Sequence, residues 1–138
     1  MRYFLDTNVL FDLFGTSRSS HQDSLQIVAE GIAGRTELVI SATSVMTLLY
    51  SLRKYGHKEK EVVDRLNLLL PILEIAPTGS TELLSGINSG WSDLEDAIQF
   101  HAALSAGGID AIVSNDKDFK QQKLVPVIKP KQAVKRLK

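Results

Sequence analysis

The 138-residue chain contains no cysteine. That removes disulfides, thiolate metal sites and cysteine nucleophiles together. It has no apolar run long enough to span a bilayer. It also lacks a signal-peptide pattern: the N-terminus reads Met-Arg-Tyr-Phe-Leu-Asp, and the carboxylate of Asp6 interrupts the apolar stretch. A cytoplasmic protein with no membrane partner is therefore expected. There is no Cys-His set, no Ser-His-Asp grouping and no glycine-rich phosphate loop. Net charge is absent too, with 16 basic and 16 acidic side chains. The balance is uneven along the chain: Lys117 to Lys138 holds eight Lys or Arg and one acid, Asp118. Such a tail is either a solvated helix or an attractor of polyphosphate.

What is present is an ordinary globular composition, 43% hydrophobic and 23% charged. The length suits one domain, taken as residues 1–138, and neither a repeat nor a long linker divides it. Apolar periodicity predicts strands at Arg2–Leu5, Glu37–Ile40, Ile72–Ile75, Ala111–Ser114 and Val125–Ile128. Helical spacing follows Asp6, through Val9, Leu10, Leu13 and Phe14. Further helices are predicted over Ser24–Ile32, Ser44–Tyr55, Lys58–Leu70, Thr81–Ile87 and Pro130–Lys138, with one from Ser92 to the glycines at 107 and 108. The Ser24–Ile32 helix should present Leu25, Val28, Ala29 and Ile32 on one side. In Ser92-Asp-Leu-Glu95, Ser92 is read as the N-cap and Glu95 as its capping-box partner, with Trp91 packing as a staple. Alternating strands and helices predict an α/β fold, a parallel sheet covered on both faces.

In such a sheet, ligands bind beyond the carboxyl ends of the strands. Asp6 follows the first strand, and Asn115, Asp116 and Asp118 follow the fourth. Asp93 and Asp96 occupy the start of the helix that leads into the fourth strand. Three segments therefore deliver carboxylates to one end of the fold. Such a cluster repels itself unless a cation fills it, and Mg²⁺ is held by carboxylates, water and substrate phosphate. Two such ions about 3.5–4 Å apart serve in-line displacement at phosphorus. Each acid also has a structural reading. Asp6 can cap a helix, Asp93 can favour a helix dipole, and Asp116 and Asp118 can be turn residues. Asp96 has no capping duty left. His21, His57 and His101 are not read as ligands: His57 lies in a polar Gly-His-Lys turn, and His101 lies about 140° round the helix from Asp96, off its face. Arg53 and Lys54, with the Lys-rich tail, are candidate phosphate contacts.

These residues resemble the PIN domain, the ribonuclease fold of VapC-type toxins. "FLDTNVLFDLF" resembles its opening signature, "DLEDAIQFHAAL" its central acidic helix and "AIVSNDKDF" the end of its fourth strand. "RTELVISATSVMTLLYSLRK" is similar to one PIN subfamily, and "KLVPVIKPKQAV" fits the last strand and helix. The resemblance implies a three-layer α/β/α sandwich with strand order 3-2-1-4-5 and Mg²⁺- or Mn²⁺-dependent cleavage of RNA. It implies Asp6, Asp96, Asp116 and Asp118 as catalytic metal ligands, with Asp93 auxiliary and Asn8, Thr47, Ser114 and Asn115 supporting. It further implies a toxin blocked by a small antitoxin protein, and a homodimer. One departure stands out. Many PIN nucleases carry a Glu on the helix after strand two, roughly where Thr47 stands, and no acid lies between Ser41 and His57. Asp93 is the expected substitute. Two alternatives follow: a PIN fold that binds RNA or protein without cutting, or a Mg²⁺-dependent phosphohydrolase. Asn8, standing where the phosphohydrolase pattern needs a second Asp, argues against the latter.

Overall fold

The computed structural model of the chain describes residues 1–137. Five parallel strands form one sheet in the order β3-β2-β1-β4-β5. They are β1 (Arg2–Leu5), β2 (Glu37–Ser41), β3 (Leu73–Ala76), β4 (Ala111–Val113) and β5 (Val127–Ile128). Helices α1 (Thr7–Asp12), α2 (His21–Ile32), α3 (Ala42–Lys54), α4 (Glu59–Leu69), α5 (Ser80–Ile87), α6 (Leu94–Ala106) and α7 (Pro130–Arg136) surround it. The layered architecture and the strand order are those the family resemblance implies. Among the described residues, no helix is long and apolar enough to cross a membrane.

The strand period of two explains the layers. Tyr3, Leu5, Leu38, Ile40, Ala111 and Val113 face one side, where they pack with α1, α2, α3, α4 and α7. Phe4, Val39 and Ile112 face the other, against Phe100, Ala102 and Ala103 of α6 and against Phe119. Both faces are thus dry, which is why these strands read as continuous apolar runs. Helix α5 seals the outside of α6 by close approach. A Cβ on Gly86 would lie 2.9 Å from the backbone of Ile98, so only glycine lets the two helices meet here.

Three local expectations are corrected. Helix α2 starts at His21, earlier than predicted, and buries Ser24, Ile27 and Val28. Leu25 and Ile32 are exposed instead, at 40% and 66%. The reason is Asp12: its buried carboxylate accepts hydrogen bonds from Ser24 Oγ (3.0 Å) and Arg18 Nε (2.7 Å), which turns the Ser24 face inward. The central acidic helix begins at Leu94, and its N-cap is Asp93 rather than Ser92. Ser and Asp cap equally well, so the choice falls to tertiary packing. Trp91 stacks on Phe100 at 5.3 Å between ring centroids and makes a T-shaped contact with Phe119, which fixes where the helix can start. Glu95 consequently makes no capping box and accepts a hydrogen bond from Thr7 Oγ1 (3.2 Å). Finally, α7 ends at Arg136; Lys138, the last residue of the predicted helix, lies outside the described residues.

Candidate metal centre

Strands β1 and β4 are neighbours, so their carboxyl ends open on the same side of the sheet. Asp6 follows β1 as the N-cap residue of α1. Its carboxylate makes no cap bond and is 1% exposed. It accepts from Ser114 Oγ at 2.7 Å and from Gln99 Nε2 at 3.2 Å. Burial pushes the Asp6 carboxyl up from its ordinary pKa, opposed by the hydrogen bonds from Ser114 and Gln99.

Asp96 arrives from the first turn of α6, where the Asp93 carboxylate caps its N–H at 3.1 Å. The Asp96 side chain is buried. Oδ1 accepts from Gln99 Nε2 at 3.4 Å, whereas Oδ2 is buried with no donor among the described residues. Asp116 and Asp118 follow β4. Ser114 Oγ accepts from the Asp116 N–H (2.8 Å), and the Asp116 carboxylate accepts from the Asp118 N–H (2.9 Å). This Asx-type turn sets both carboxylates beside those of Asp93 and Asp96. Asp93, Asp96, Asp116 and Asp118 each bring one carboxylate oxygen to within 4.8 Å of the others. Asp6 joins this group through the shared bonds of Gln99 and Ser114.

The electrostatic cost is concentrated on Asp96. Burial first, then a hydrogen bond shared with Asp116 and the charges of Asp6, Asp93 and Asp116, push its pKa up to about 9. An all-carboxylate donor set is what hard divalent cations prefer. The buried Asp96 Oδ2, without a donor among the described residues, fits the same occupant.

A pH dependence follows. Between an unfolded carboxylate near 4 and a folded Asp96 near 9, the native state binds more protons than the unfolded one. This contribution is full at low pH and lost as pH rises. Asp6 is shifted the same way. The carboxylates of Glu30, Glu74 and Glu82 are shifted down and titrate below this window. In EDTA the unfolding midpoint should fall between pH 5.5 and 8.5, and Asp96→Asn should flatten the fall. Parallel profiles for the two proteins would contradict the assignment.

The predicted supporting residues separate. Ser114 lies at the centre of the cluster. Asn115 turns away and donates to Ser20 Oγ at 3.0 Å, tying the turn to the start of α2. Asn8 is exposed and lines a cavity of about 320 Å³ with Phe11, Arg18, Tyr55 and His57. Thr47 is half-buried and bonds none of the acids among the described residues. The α3 residue that faces the site is Ser44, one turn earlier, with Oγ 2.7 Å from Thr7 Oγ1 and 3.3 Å from Gln99 Oε1. Gln99 was not singled out from the sequence. Its signal was there: a polar residue three positions after Asp96, on the same helix face, in an otherwise apolar run.

The comparisons with known proteins agree with this architecture. A family model described as a PIN domain matches residues 2–118. Ribonuclease VapC1 from Aquifex aeolicus is 32% identical over 123 residues, covering 86% of this chain and 83% of that protein. Among solved structures, VapBC2 from Rickettsia felis, bound to a DNA fragment from its promoter, superposes with a TM-score of 0.65. It is 20% identical and covers 94% of this chain and 98% of that one. The sarcin-ricin-loop-cleaving toxin VapC20 from Mycobacterium tuberculosis gives 0.66, at 14% identity over 86% of this chain and 93% of that one. At such identities the structural likeness concerns the fold.

Proposed function

Because the chain belongs to the PIN domain family, we propose that it is a divalent-cation-dependent endoribonuclease, the toxin of a VapBC-type toxin–antitoxin pair. The observation that carries this reading is the convergence of Asp93, Asp96, Asp116 and Asp118, with Asp6 bonded into the group and the buried Asp96 Oδ2 without a donor among the described residues. Asp6, Asp96, Asp116 and Asp118 would hold Mg²⁺ or Mn²⁺, and Asp93 would add charge where other family members use a Glu. A bound divalent cation supplies charge neutralisation of the phosphodiester and lets a water ionise near neutral pH.

The chain's own residues do the rest. Ser114 and Gln99 hold the Asp6 carboxylate in one orientation. The Asp93 cap holds the first turn of α6, and with it Asp96. The turn after β4 presents Asp116 and Asp118, with Lys117 and Lys120 alongside as cations for a phosphate backbone. An antitoxin would inhibit by placing a basic side chain among these acids, where its charge is most wanted.

The test is cleavage of a mixed single-stranded RNA pool with Mn²⁺, with Mg²⁺ and with EDTA. Cutting in either metal and none in EDTA is expected. Folded protein that binds no metal and leaves the pool intact would sink the reading in favour of a binding module. Turnover of a chromogenic phosphomonoester would favour a phosphohydrolase.

A further inference from the structure

We propose that Gln99 is the positioning residue of the acidic centre: its buried amide sets the placement of Asp6 and Asp96, and through them the affinity for the divalent cation. The inference rests on the metal-site reading above. Gln99 is 1% exposed, so it touches neither solvent nor RNA. Its amide has two N–H donors and two acceptor sites, and the structure uses all four. Nε2 donates to Asp6 Oδ1 at 3.2 Å and to Asp96 Oδ1 at 3.4 Å. Oε1 accepts from the Thr7 N–H at 3.1 Å and from Ser44 Oγ at 3.3 Å.

The orientation of this amide is decided by chemistry. The Thr7 backbone N–H can only donate, so the group facing it must be the oxygen. The NH₂ must then face the two carboxylates. A flipped amide would set a carbonyl against two acids and an N–H against an N–H. Thr7 follows Asp6 directly, so one backbone donor fixes the amide that in turn fixes its neighbour's carboxylate.

The residue type is equally constrained. Asp6 and Asp96 stand 90 positions apart in sequence, and two carboxyl groups held by one amide oppose each other's ionisation. A Lys or Arg between them would neutralise the acids and compete with the cation. A Glu would add to the repulsion and lose the donors. A neutral double donor joins the two carboxylates and leaves their charge for the ion. Groups of this kind, which bond a metal's ligands without touching the metal, change affinity about 10–100-fold when removed. The network also brings α3 into the site without an acid. Where other members of the family use a Glu on that helix, this chain uses the hydroxyl of Ser44, acting on the amide.

The experiment is Mn²⁺ titration by calorimetry of wild-type protein, Gln99→Met and Ser44→Ala, each first shown to be folded by circular dichroism. Gln99→Met keeps the volume and removes the amide. It should bind Mn²⁺ about 10–100-fold more weakly, with kcat on RNA reduced and KM within about twofold. Ser44→Ala leaves the amide and every acid in place but removes one anchor, and should weaken binding about threefold. Folded Gln99→Met with Mn²⁺ affinity within twofold of wild type overturns the proposal. If Gln99→Met does not fold, Ser44→Ala decides, and unchanged affinity there overturns it. A wild-type protein that binds no Mn²⁺ would overturn the metal-site reading itself, and this inference with it.

Discussion

Asp6→Asn and Asp96→Asn should each lower metal-dependent RNA cleavage about 10³-fold or more, equivalent to roughly 4 kcal/mol of transition-state stabilisation. Asn keeps the shape of Asp and removes its charge. In Asp96→Asn the two consequences have opposite sign. The cluster loses a carboxyl whose ionisation is opposed by burial and by the charges of Asp6, Asp93 and Asp116, with a pKa pushed up to about 9. The metal-free protein should therefore gain stability at pH 8 while cleavage disappears. A residue needed only for packing would not show that pair of changes. Asp93→Asn is the milder companion. Asn caps a helix as well as Asp, so α6 should keep its start, and a loss of activity there reports charge alone. If Asp93→Asn leaves both Mn²⁺ affinity and activity unchanged, Asp93 does not stand in for the missing Glu. RNA cleavage in Mn²⁺, the unfolding midpoint in EDTA and calorimetry give the three readings.

Phe119→Ala should cost about 3–5 kcal/mol of stability, a fall in unfolding midpoint of about 10–20 °C for a chain of this size. Phe119 is fully buried, in a T-shaped contact with Trp91 at 6.1 Å between centroids. It also anchors the turn that carries Asp116 and Asp118. Loss of the ring should thus weaken Mn²⁺ binding well below the unfolding temperature, although no metal ligand has been changed. Phe119→Leu refills most of the volume and should recover most of both. A Phe119→Ala protein with lowered midpoint but wild-type Mn²⁺ affinity would show that the turn holds its shape without the anchor.

Much of the molecule was legible because its signals are local. Asp6 ends an apolar run, Asp96 opens a helix with no cap left to make, and Asp116 and Asp118 follow a buried strand. Strands alternating with helices imply a parallel sheet, and a parallel sheet implies a shared carboxyl edge. The positions of the five segments followed from periodicity to within a few residues. The inward face of α2 did not. Its helical pattern favours Leu25 and Ile32, yet the buried carboxylate of Asp12 claims Ser24 and leaves those two exposed. Arg18 pairs one oxygen of this buried carboxylate and Ser24 supplies the donor for the other, which would otherwise be buried without one.

The sequence by itself determined which residues carry charge to one edge of this fold, since strand ends and helix starts are read from neighbours a few positions away. Tertiary structure decided how those charges are held. Ser92 and Asp93 cap equally well in isolation, and the stacking of Trp91 on Phe100 selected Asp93. Thr47 and Ser44 lie on the same helix, and only the pairing of β1 with β2 and the docking of α6 bring Ser44 to Thr7 and Gln99. Gln99 itself joins acids from separate elements, a contact across 93 positions to Asp6. No period along the chain encodes such a contact. It forms because a buried amide must find four partners, and the packed fold offers them in one place.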